Sequence, residues 1–257
     1  VMINRFSASA SEILAAALQD YGRAVIVGGE YSHGKGTVQA VLNLNQAPLL
    51  NMFGPTIGAL KVTIQKFYRV NGSSTQYKGV TPDIIIPDPM GYAKNREQDL
   101  DYSLKWDQVK KLPYKRWSQF DLNLKELISK SKKRSKKNER FKRINDSVDY
   151  LKKRREETIV SLNEGEAQKQ EAKAKKMTEK FKLDEEEKKM MVSHYKDSLD
   201  ENQDEIKEAD KKKWEEDLKQ RKSDWEKSVR LDAGLEESMY IMYDLIKNLK
   251  AKVSMHK

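Results

Sequence analysis

Hydrophobic and polar positions divide the chain into two unlike parts. Residues 1–89 hold short apolar runs bounded by glycines and turn residues, a pattern that is typical of strands. The runs predicted as strands are residues 1–4, 23–27, 37–44, 61–70 and 84–86. Residues from about 121 onward instead space a few apolar side chains at helical intervals among charged ones. The pattern therefore predicts an α/β part over residues 1–89, a connecting segment over 90–120 and a charged, mainly α-helical part over 121–257.

One helix is predicted inside the α/β part, over residues 9–18, which are rich in helix formers. Ser9 begins it and Glu12 follows three residues later, which is the spacing of a capping box. Because this helix lies between the apolar runs 1–4 and 23–27, the order is strand, helix, strand. That order is the repeating unit of a parallel α/β sheet.

The last predicted helix has the best amphipathic face of the second part, and we expect this face to dock on another element. Its apolar residues are Leu231, Leu235, Met239, Met242 and Leu245. A sparser apolar stripe lies upstream and consists of Val148, Leu151, Ile159 and Leu162. No stretch approaches the roughly 20 apolar residues that a helix needs to span a bilayer.

Charge adds a second hypothesis for the helical part. Charged residues make up 35% of the 257 residues, and the net charge is +10. A dense basic run consists of Lys130, Lys132, Lys133, Arg134, Lys136, Lys137, Arg140, Lys142 and Arg143. Such runs bind nucleic acid or anionic membranes, although more often they are a solvated helix face. A non-catalytic helical scaffold, or a module that binds nucleic acid or an anionic membrane, is therefore an alternative function.

The residue types available for catalysis are restricted. The chain has no cysteine, which excludes a Cys/His site, and its three histidines leave few candidates for a Ser/His/Asp site. Lysine is the remaining side chain that could act as a strong base toward a serine. Ser9 is a candidate nucleophile, because the amide of Ala10 would point to a developing oxyanion at a helix N-terminus. The residues alone favour a simpler role for Ser9, which is to cap the helix, and Ser7 and Ser11 compete for the role of nucleophile.

Lys35 is the candidate base, and it lies between two glycines that allow a close approach of the backbone. If residues 35–39 form a strand, Lys35, Thr37 and Gln39 share one face, and Gln39 could hold the amine. An exposed loop lysine fits the pattern equally well. The preceding residues also match the G-x-x-x-x-G-K spacing of a phosphate-binding loop. Because Gly36 stands where that motif needs Ser or Thr, we reject a nucleotide site.

Three blocks of sequence, in this order, resemble the carboxy-terminal processing peptidases, and among them the tail-specific protease branch. The blocks are NRFSASASEILAAALQDYGRAVIVGG, HGKGTVQ and KVTIQKFYRVNGSSTQYKGVTPDIIIP. The resemblance implies a serine endopeptidase with a Ser–Lys dyad and no cofactor or metal, in which Ser9 is the nucleophile, Lys35 the base and Gln39 its support. Asp20 also matches a site-related residue of the family. Since eleven helical residues span about 16 Å, we expect Asp20 to be structural support without contact to Ser9.

The resemblance also implies a larger protein. Residues 1–89 would be the later half of a peptidase domain of the ClpP/crotonase-like type, followed by the helical extension. The family's PDZ domain and the first half of the peptidase domain would precede Val1, so we expect this chain alone to be inactive. The residues before Lys35 lack the family's usual proline and are one residue longer, so we expect a different lysine loop.

The biological setting is implied in the same way. The expected substrates are unfolded or tail-exposing proteins recognised by an apolar C-terminal tail. The expected location is the bacterial periplasm or the envelope, with a contact to the envelope or to an adaptor. No nucleic-acid partner is expected.

Overall fold

The computed structural model describes residues 1–46, 58–117, 122–181 and 208–255. Most of the loop predicted over residues 45–60 lies outside these ranges, as does the end of the connecting segment. The strands are β1 (Met2–Ile3), β2 (Val27–Gly28), β3 (Thr37–Asn43), β4 (Ala59–Lys66) and β5 (Ile84–Ile85). The α-helices are α1 (Ala10–Asp20), α2 (Leu124–Lys137), α3 (Glu139–Glu156), α4 (Glu164–Phe181), α5 (Glu208–Leu231) and α6 (Ala233–Met255).

A parallel three-stranded sheet in the order β1–β2–β5 forms the centre of the α/β part. Met2 pairs with Val27, and Val27 pairs in turn with Ile84. Helix α1 connects the parallel strands β1 and β2, which is the strand–helix–strand unit that the sequence predicts. The sheet therefore brings the start of α1 and the residues after β2 to the same edge.

Strands β3 and β4 form a separate antiparallel pair that directly follows the predicted base, Lys35. Thr37 lies opposite Lys66, and a shift in register falls between Val38 and Gln39. The strand predicted over residues 61–70 is observed as Ala59–Lys66. It ends early because the chain turns after it, so that Tyr68 pairs with Ser74.

Both faces of the parallel sheet are covered by helices, which is the usual arrangement for parallel sheets. On one face, Ile3 and Ile26 pack with Ala15 and Ala16 of α1. The other face packs against helices α2, α3 and α6, in a cluster of Val25, Val27, Ile84, Ile86, Leu127, Phe141, Ala233 and Ile241. The α/β part and the helical part therefore share one hydrophobic core.

Helix α6 docks on this core, but its buried face differs from the predicted one. Met239 and Met242 are 49% and 55% exposed. Among residues 233–249, the buried ones are Ala233, Glu236, Glu237, Ile241 and Asp244, and Leu245 packs against the same core. The prediction of the face was therefore right for Leu245 and wrong for the two methionines. Hydropathy assigns acidic side chains to solvent, whereas these three acids are paired with cations of the neighbouring helices.

The basic run supplies those cations. Arg134 on α2 bonds Glu237 (Nη2–Oε1 2.8 Å) and Asp244 (Nη1–Oδ2 2.7 Å), and Arg140 on α3 pairs with Glu236. Burial acts to lower the pKa of Arg134, but its hydrogen bonds to the two carboxylates outweigh burial and raise it. The lysines of the run that remain exposed are Lys132, Lys133, Lys136, Lys137 and Lys142. The run is thus partly an internal connection between helices and partly a solvated face.

The sparser apolar stripe is interrupted between α3 and α4. Val148 is buried, but Ile159 and Leu162 lie in the non-helical connection 157–163 and are 90% and 101% exposed. Leu162 precedes Asn163 and Gly165, whose low helix propensity favours a break at this point. Among the helices described, none is both long and apolar enough to cross a membrane.

Candidate active site

Ser9 is the N-cap residue of α1 and has an unusual backbone, with φ 58° and ψ −114°. A positive φ is strained for a residue with a side chain, and such strain concentrates at functional sites. The Ser9 amide donates to Glu12 Oε2 (2.8 Å), which is the Glu12 half of the predicted capping box, and the Glu12 amide donates to the Ser9 carbonyl (2.9 Å). No capping hydrogen bond involves the Ser9 side chain. Its hydroxyl is therefore not committed to capping the helix.

The two competing serines are engaged in local turns. The Ser7 hydroxyl accepts from the Asn4 amide (3.1 Å), and the Ser11 hydroxyl donates to the Ala8 carbonyl (2.8 Å). The Ala10 amide, by contrast, donates to none of the described residues. The start of α1 thus presents the Ser9 hydroxyl next to the Ala10 amide, which can donate a hydrogen bond to a ligand.

Glu12 connects Ser9 to the residues around Lys35. Its side chain is fully buried, and Oε2 accepts from the amides of Ser9 (2.8 Å) and Lys35 (2.9 Å). Oε1 accepts from the Gly34 amide (2.7 Å) and from the Ser32 hydroxyl. The amide nitrogens of Ser9 and Lys35 both lie within hydrogen-bond distance of the same oxygen atom, so they are close to each other. One carboxylate holds the start of α1 against the predicted base.

Residues 32–36, here called the lysine loop, have a fully bonded set of amides. The donated bonds are Ser32 to Val80 O (3.1 Å), His33 to Ser7 O (2.9 Å), Gly34 and Lys35 to Glu12, and Gly36 to Gln76 Oε1 (2.8 Å). The half-buried Lys35 side chain makes no hydrogen bond or ion pair with a described residue. The loop therefore fixes the backbone of Lys35 and leaves its amine for other partners.

The two glycines beside Lys35 are required by the backbone. Gly34 has φ +95°, a region that favours glycine. A Cβ on Gly36 would lie 2.4 Å from the backbone nitrogen of Gln76. The predicted close approach of the backbone at these glycines is therefore present, with residues 76 and 77 as the neighbours.

The shared face predicted for Lys35, Thr37 and Gln39 is not formed. Strand β3 begins at Thr37, so Lys35 precedes it. Thr37 is 3% exposed, whereas Gln39 is exposed and its side chain bonds none of the described residues. Lys35 lies in the lysine loop, where its backbone bonds Glu12 and not β4, so it does not follow the side-chain alternation of β3.

Asp20 lies at the opposite end of α1 from Ser9. Its buried carboxylate accepts from Arg69 (Nη2–Oδ1 2.7 Å, Nε–Oδ2 2.9 Å) and from Asn71 Nδ2 (3.0 Å). These bonds tie the end of α1 to the chain after β4. The structure thus brings Ser9, Ala10 and Lys35 together, and it places Asp20 on other partners.

Sequence reasoning missed the importance of Glu12 and Gln76. The sequence predicts only a local capping bond for Glu12, because its spacing from Ser9 gives no sign of the bonds to residues 32–35. Gln76 is also fully buried, and its Nε2 donates to Glu97 Oε1 (2.9 Å) and to the Leu104 carbonyl (3.1 Å). Nothing in the sequence around Gln76 distinguishes it from an exposed turn residue.

Comparison with known proteins gives two adjoining matches. Residues 1–86 match Peptidase family S41, and residues 90–247 match the C-terminal domain of tail specific protease. A tail-specific protease of Haemophilus influenzae is 41% identical over 166 residues, which are 63% of this chain and 24% of that protein. A carboxy-terminal-processing protease of Bartonella bacilliformis is 44% identical over 90 residues, 35% of this chain and 18% of the relative.

A carboxyl-terminal-processing protease of Picosynechococcus sp. is 38% identical over 109 residues, 42% of this chain and 24% of the relative. The chain thus spans a quarter or less of the length of these three relatives. The match to the C-terminal domain alone covers more than half of the chain, and the S41 match covers the residues before it. The chain therefore belongs to the family defined by the C-terminal domain of tail specific protease, and the residues before that domain match Peptidase family S41.

Proposed function

We propose that this chain is the C-terminal part of a serine endopeptidase in which Ser9 is the nucleophile and Lys35 the general base. The observation that carries the proposal is Glu12 Oε2, which accepts from the amides of both residues (2.8 and 2.9 Å). A serine and its base must come within hydrogen-bond reach in the reacting enzyme, and a shared anchor keeps the backbones of Ser9 and Lys35 close to each other. The names of the relatives, tail-specific and carboxy-terminal-processing proteases, support protease activity.

In the proposed mechanism, neutral Lys35 Nζ takes the proton of Ser9 Oγ while Oγ attacks the carbonyl carbon of the scissile peptide bond. The oxyanion that forms accepts a hydrogen bond from the Ala10 amide at the N-terminus of α1. The C–N bond then breaks, and the leaving amine takes the proton from Lys35. Water, deprotonated by Lys35, attacks the carbonyl carbon of the acyl-enzyme. The bond from that carbon to Ser9 Oγ then breaks, Oγ takes the proton back from Lys35, and the second product leaves. No cofactor takes part.

Two further residues have supporting roles in this proposal. Gln39, on β3, would reach the Lys35 amine once substrate or the rest of the protein covers the strand. Asp20 would act through Arg69 and Asn71 by holding the far end of α1, which sets the direction of the helix that begins at Ser9. The first role concerns the base and the second concerns the scaffold.

The larger context belongs to the same proposal. Residues 1–89 would form the later half of a peptidase domain of the ClpP/crotonase-like type. The rest of the protein would supply substrate capture and a second oxyanion donor, so the chain alone would be inactive. The substrates would be unfolded or tail-exposing proteins with an apolar C-terminus, cleaved in the bacterial periplasm or at the envelope. An envelope or adaptor contact would complete the partners.

The test uses the full-length protein and an unfolded substrate with an apolar C-terminal tail. Ser9→Ala and Lys35→Ala should each lower kcat at least about 10³-fold, because nucleophile and base act as one unit. Both should also stop covalent labelling by a fluorophosphonate probe. Ser11→Ala and Lys133→Ala are the matched controls and should keep normal cleavage. Full cleavage by a folded Lys35→Ala protein would show that the base is another residue.

A further inference from the structure

The lysine loop is held from outside the S41 part of the chain as well as from within it. Residues 92–104 lie beyond the S41 match, which ends at residue 86, and inside the match to the C-terminal domain, which begins at residue 90. Within this segment, Arg96 and Glu97 contact the lysine loop directly. The C-terminal domain thus begins with a segment that touches the neighbourhood of the proposed base.

Arg96 bridges two stretches of backbone. Its guanidinium donates from Nε to the Ser32 carbonyl (3.3 Å) and from Nη2 to the Lys78 carbonyl (2.7 Å). It also lies over the Tyr31 ring, 4.4 Å from the ring centre. The Arg96 residue is only 9% exposed, and burial lowers its pKa, with the Asp99 carboxylate acting in the opposite direction. A buried guanidinium placed on two carbonyls joins the lysine loop to the turn at residues 77–80.

That turn is the other neighbour of the lysine loop. The Tyr77 amide donates to the Gly34 carbonyl (2.7 Å), and the Val80 amide donates to the Ser32 hydroxyl (2.7 Å). Arg96 therefore closes a ring of contacts in which the loop and the turn hold each other. Without the guanidinium, the carbonyls of Ser32 and Lys78 would lose the donor that they share.

Glu97 adds two contacts on the same side. Its amide donates to the His33 carbonyl (3.0 Å), and its side chain accepts from Gln76 Nε2 (2.9 Å). Gln76 in turn accepts from the Gly36 amide (2.8 Å). Two residues of the lysine loop are thus connected to the start of the C-terminal domain. His33 is bonded to Glu97 directly, and Gly36 is bonded to it through Gln76.

The segment that carries Arg96 is itself anchored. Arg5, next to β1, donates to Asp88 Oδ2 (2.8 Å) and to the Ala93 carbonyl (2.6 Å). From the helical side, Arg155 of α3 donates to the Tyr92 carbonyl (3.2 Å). Arg96 therefore stands on a segment that is tied to both the sheet and the helices, which lets it act as a fixed support.

We propose that Arg96 is a positioning residue for the lysine base, supplied by the C-terminal domain, and that it acts by holding the lysine loop against the turn at residues 77–80. The inference rests on the proposed role of Lys35. Misplacing a catalytic group by about 1 Å can cost roughly 10²-fold in rate, so loss of this support reduces turnover even though Arg96 touches no substrate.

The experiment uses the full-length protein with Arg96→Gln and Arg96→Lys. Lysine keeps the charge but reaches one carbonyl where arginine bridges two, so it is the milder change. The matched control is Arg140→Gln, which removes an equally buried arginine (5% exposed) from the helical part. For each variant, kcat and KM are measured together with thermal unfolding.

For Arg96→Gln we expect kcat to fall about 10²-fold with KM within about twofold, and for Arg96→Lys a smaller fall. A fall in kcat at nearly constant KM would indicate a misplaced base, because the contacts to the substrate are unchanged. Arg140→Gln should lower the unfolding temperature and leave the kcat of the folded protein unchanged.

Two results would overturn the inference. One is a folded Arg96→Gln and Arg96→Lys pair with the kcat and the KM of the unaltered protein. The other is a loss that only follows the unfolded fraction, as in Arg140→Gln. Lys35→Ala separates this failure from that of the proposed function. If Lys35→Ala is inactive while Arg96→Gln is normal, only the role of Arg96 is lost, whereas an active Lys35→Ala removes both.

Discussion

Both parts of the molecule bury carboxylates, but they surround them with different partners. In the α/β part, Glu12 accepts three backbone amides and one hydroxyl. In the helical part, Glu237 and Asp244 share the guanidinium of Arg134, and Glu236 pairs with Arg140. One acid is therefore satisfied by the backbone, and the others are satisfied by side chains of neighbouring helices.

The difference separates two uses of buried charge. Amides are fixed to the chain, so a carboxylate that binds amides from Ser9, Gly34 and Lys35 sets the relative position of two backbone segments. Side-chain ion pairs leave the helix backbones as they are and determine which helix faces meet. We therefore expect changes at Glu12 to affect activity first, and changes at Arg134 to affect stability alone.

Glu12→Gln should have the largest effect. Each oxygen of Glu12 accepts two hydrogen bonds, and the substitution replaces one of these oxygens by an NH2 group, which is a donor. Two of the four present donors would then lose their acceptor. Hydrogen bonds to a charged group contribute about 1.5–3 kcal/mol each, so losing two should destabilise the protein by about 3–6 kcal/mol. In the protein that remains folded, cleavage should fall more than about 10²-fold.

Urea unfolding and cleavage of the same preparations check this expectation. Glu30→Gln, at an exposed position before the lysine loop, is the matched control and should change neither quantity. Normal cleavage by Glu12→Gln would contradict the view that the backbone contacts of this carboxylate serve the site.

Arg134→Met should have the next largest effect, and on stability only. It leaves Glu237, whose side chain is 3% exposed, without its cation, and it leaves Asp244 with the more distant Lys130 (3.7 Å). Breaking a buried pair on one side costs about 3–5 kcal/mol. Lys133→Met, one position earlier and exposed, should stay within about 0.5 kcal/mol.

The comparison becomes sharper when the acids are removed as well. Arg134→Met combined with Glu237→Leu and Asp244→Leu should recover most of the lost stability, since an apolar contact often replaces a buried ion pair without cost. Urea unfolding of the single and the combined variants measures this. A combined variant that is no more stable than Arg134→Met would show that apolar contacts cannot replace these ion pairs.

The smallest expected effect is at an exposed pair. Lys66 Nζ lies 2.7 Å from Asp107 Oδ1, and its hydrogen bond, helped by one from Tyr68, lowers the pKa of Asp107 from the ordinary 3.8. The pair therefore stabilises the fold above about pH 4, and the contribution is lost as the pH falls through the lowered pKa. The unfolding temperatures of the unaltered protein and Asp107→Asn should differ slightly at pH 7, and the difference should shrink as the pH falls below about 4. A difference in unfolding temperature that grows as the pH falls would contradict the predicted direction of the pH dependence.

The sequence predicts much of the fold because buried parallel strands read as apolar runs, whereas the more exposed β3 reads as an alternating run. The structure has a strand in each of the predicted runs 1–4, 84–86 and 37–44, and α1 begins directly after Ser9 as its capping spacing indicates. The docking face of α6 could not be predicted, because Glu237 and Asp244 look like solvent-facing residues until Arg134 is placed beside them. Pairing across about a hundred residues of sequence leaves no periodic signal.

The candidate site was predictable in part for a similar reason. Ser9 and Lys35 stand out through a helix start and two glycines, both of which are local features. Glu12 joins them through bonds to residues more than twenty positions away, and its sequence context shows only the bond to Ser9. Arg96 lies in a connecting segment without periodicity, where neither burial nor contacts can be inferred from neighbours.

The shared core has a consequence for the order of synthesis. Val27 and Ile86 are covered by residues that include Ile241, so a growing chain exposes one face of its sheet long after the strands have left the ribosome. At about 5–20 residues per second, the stretch from residue 86 to residue 241 takes roughly 8 to 30 seconds to translate. During that interval the nascent α/β part presents an uncovered apolar surface, which is the kind of surface that chaperones bind.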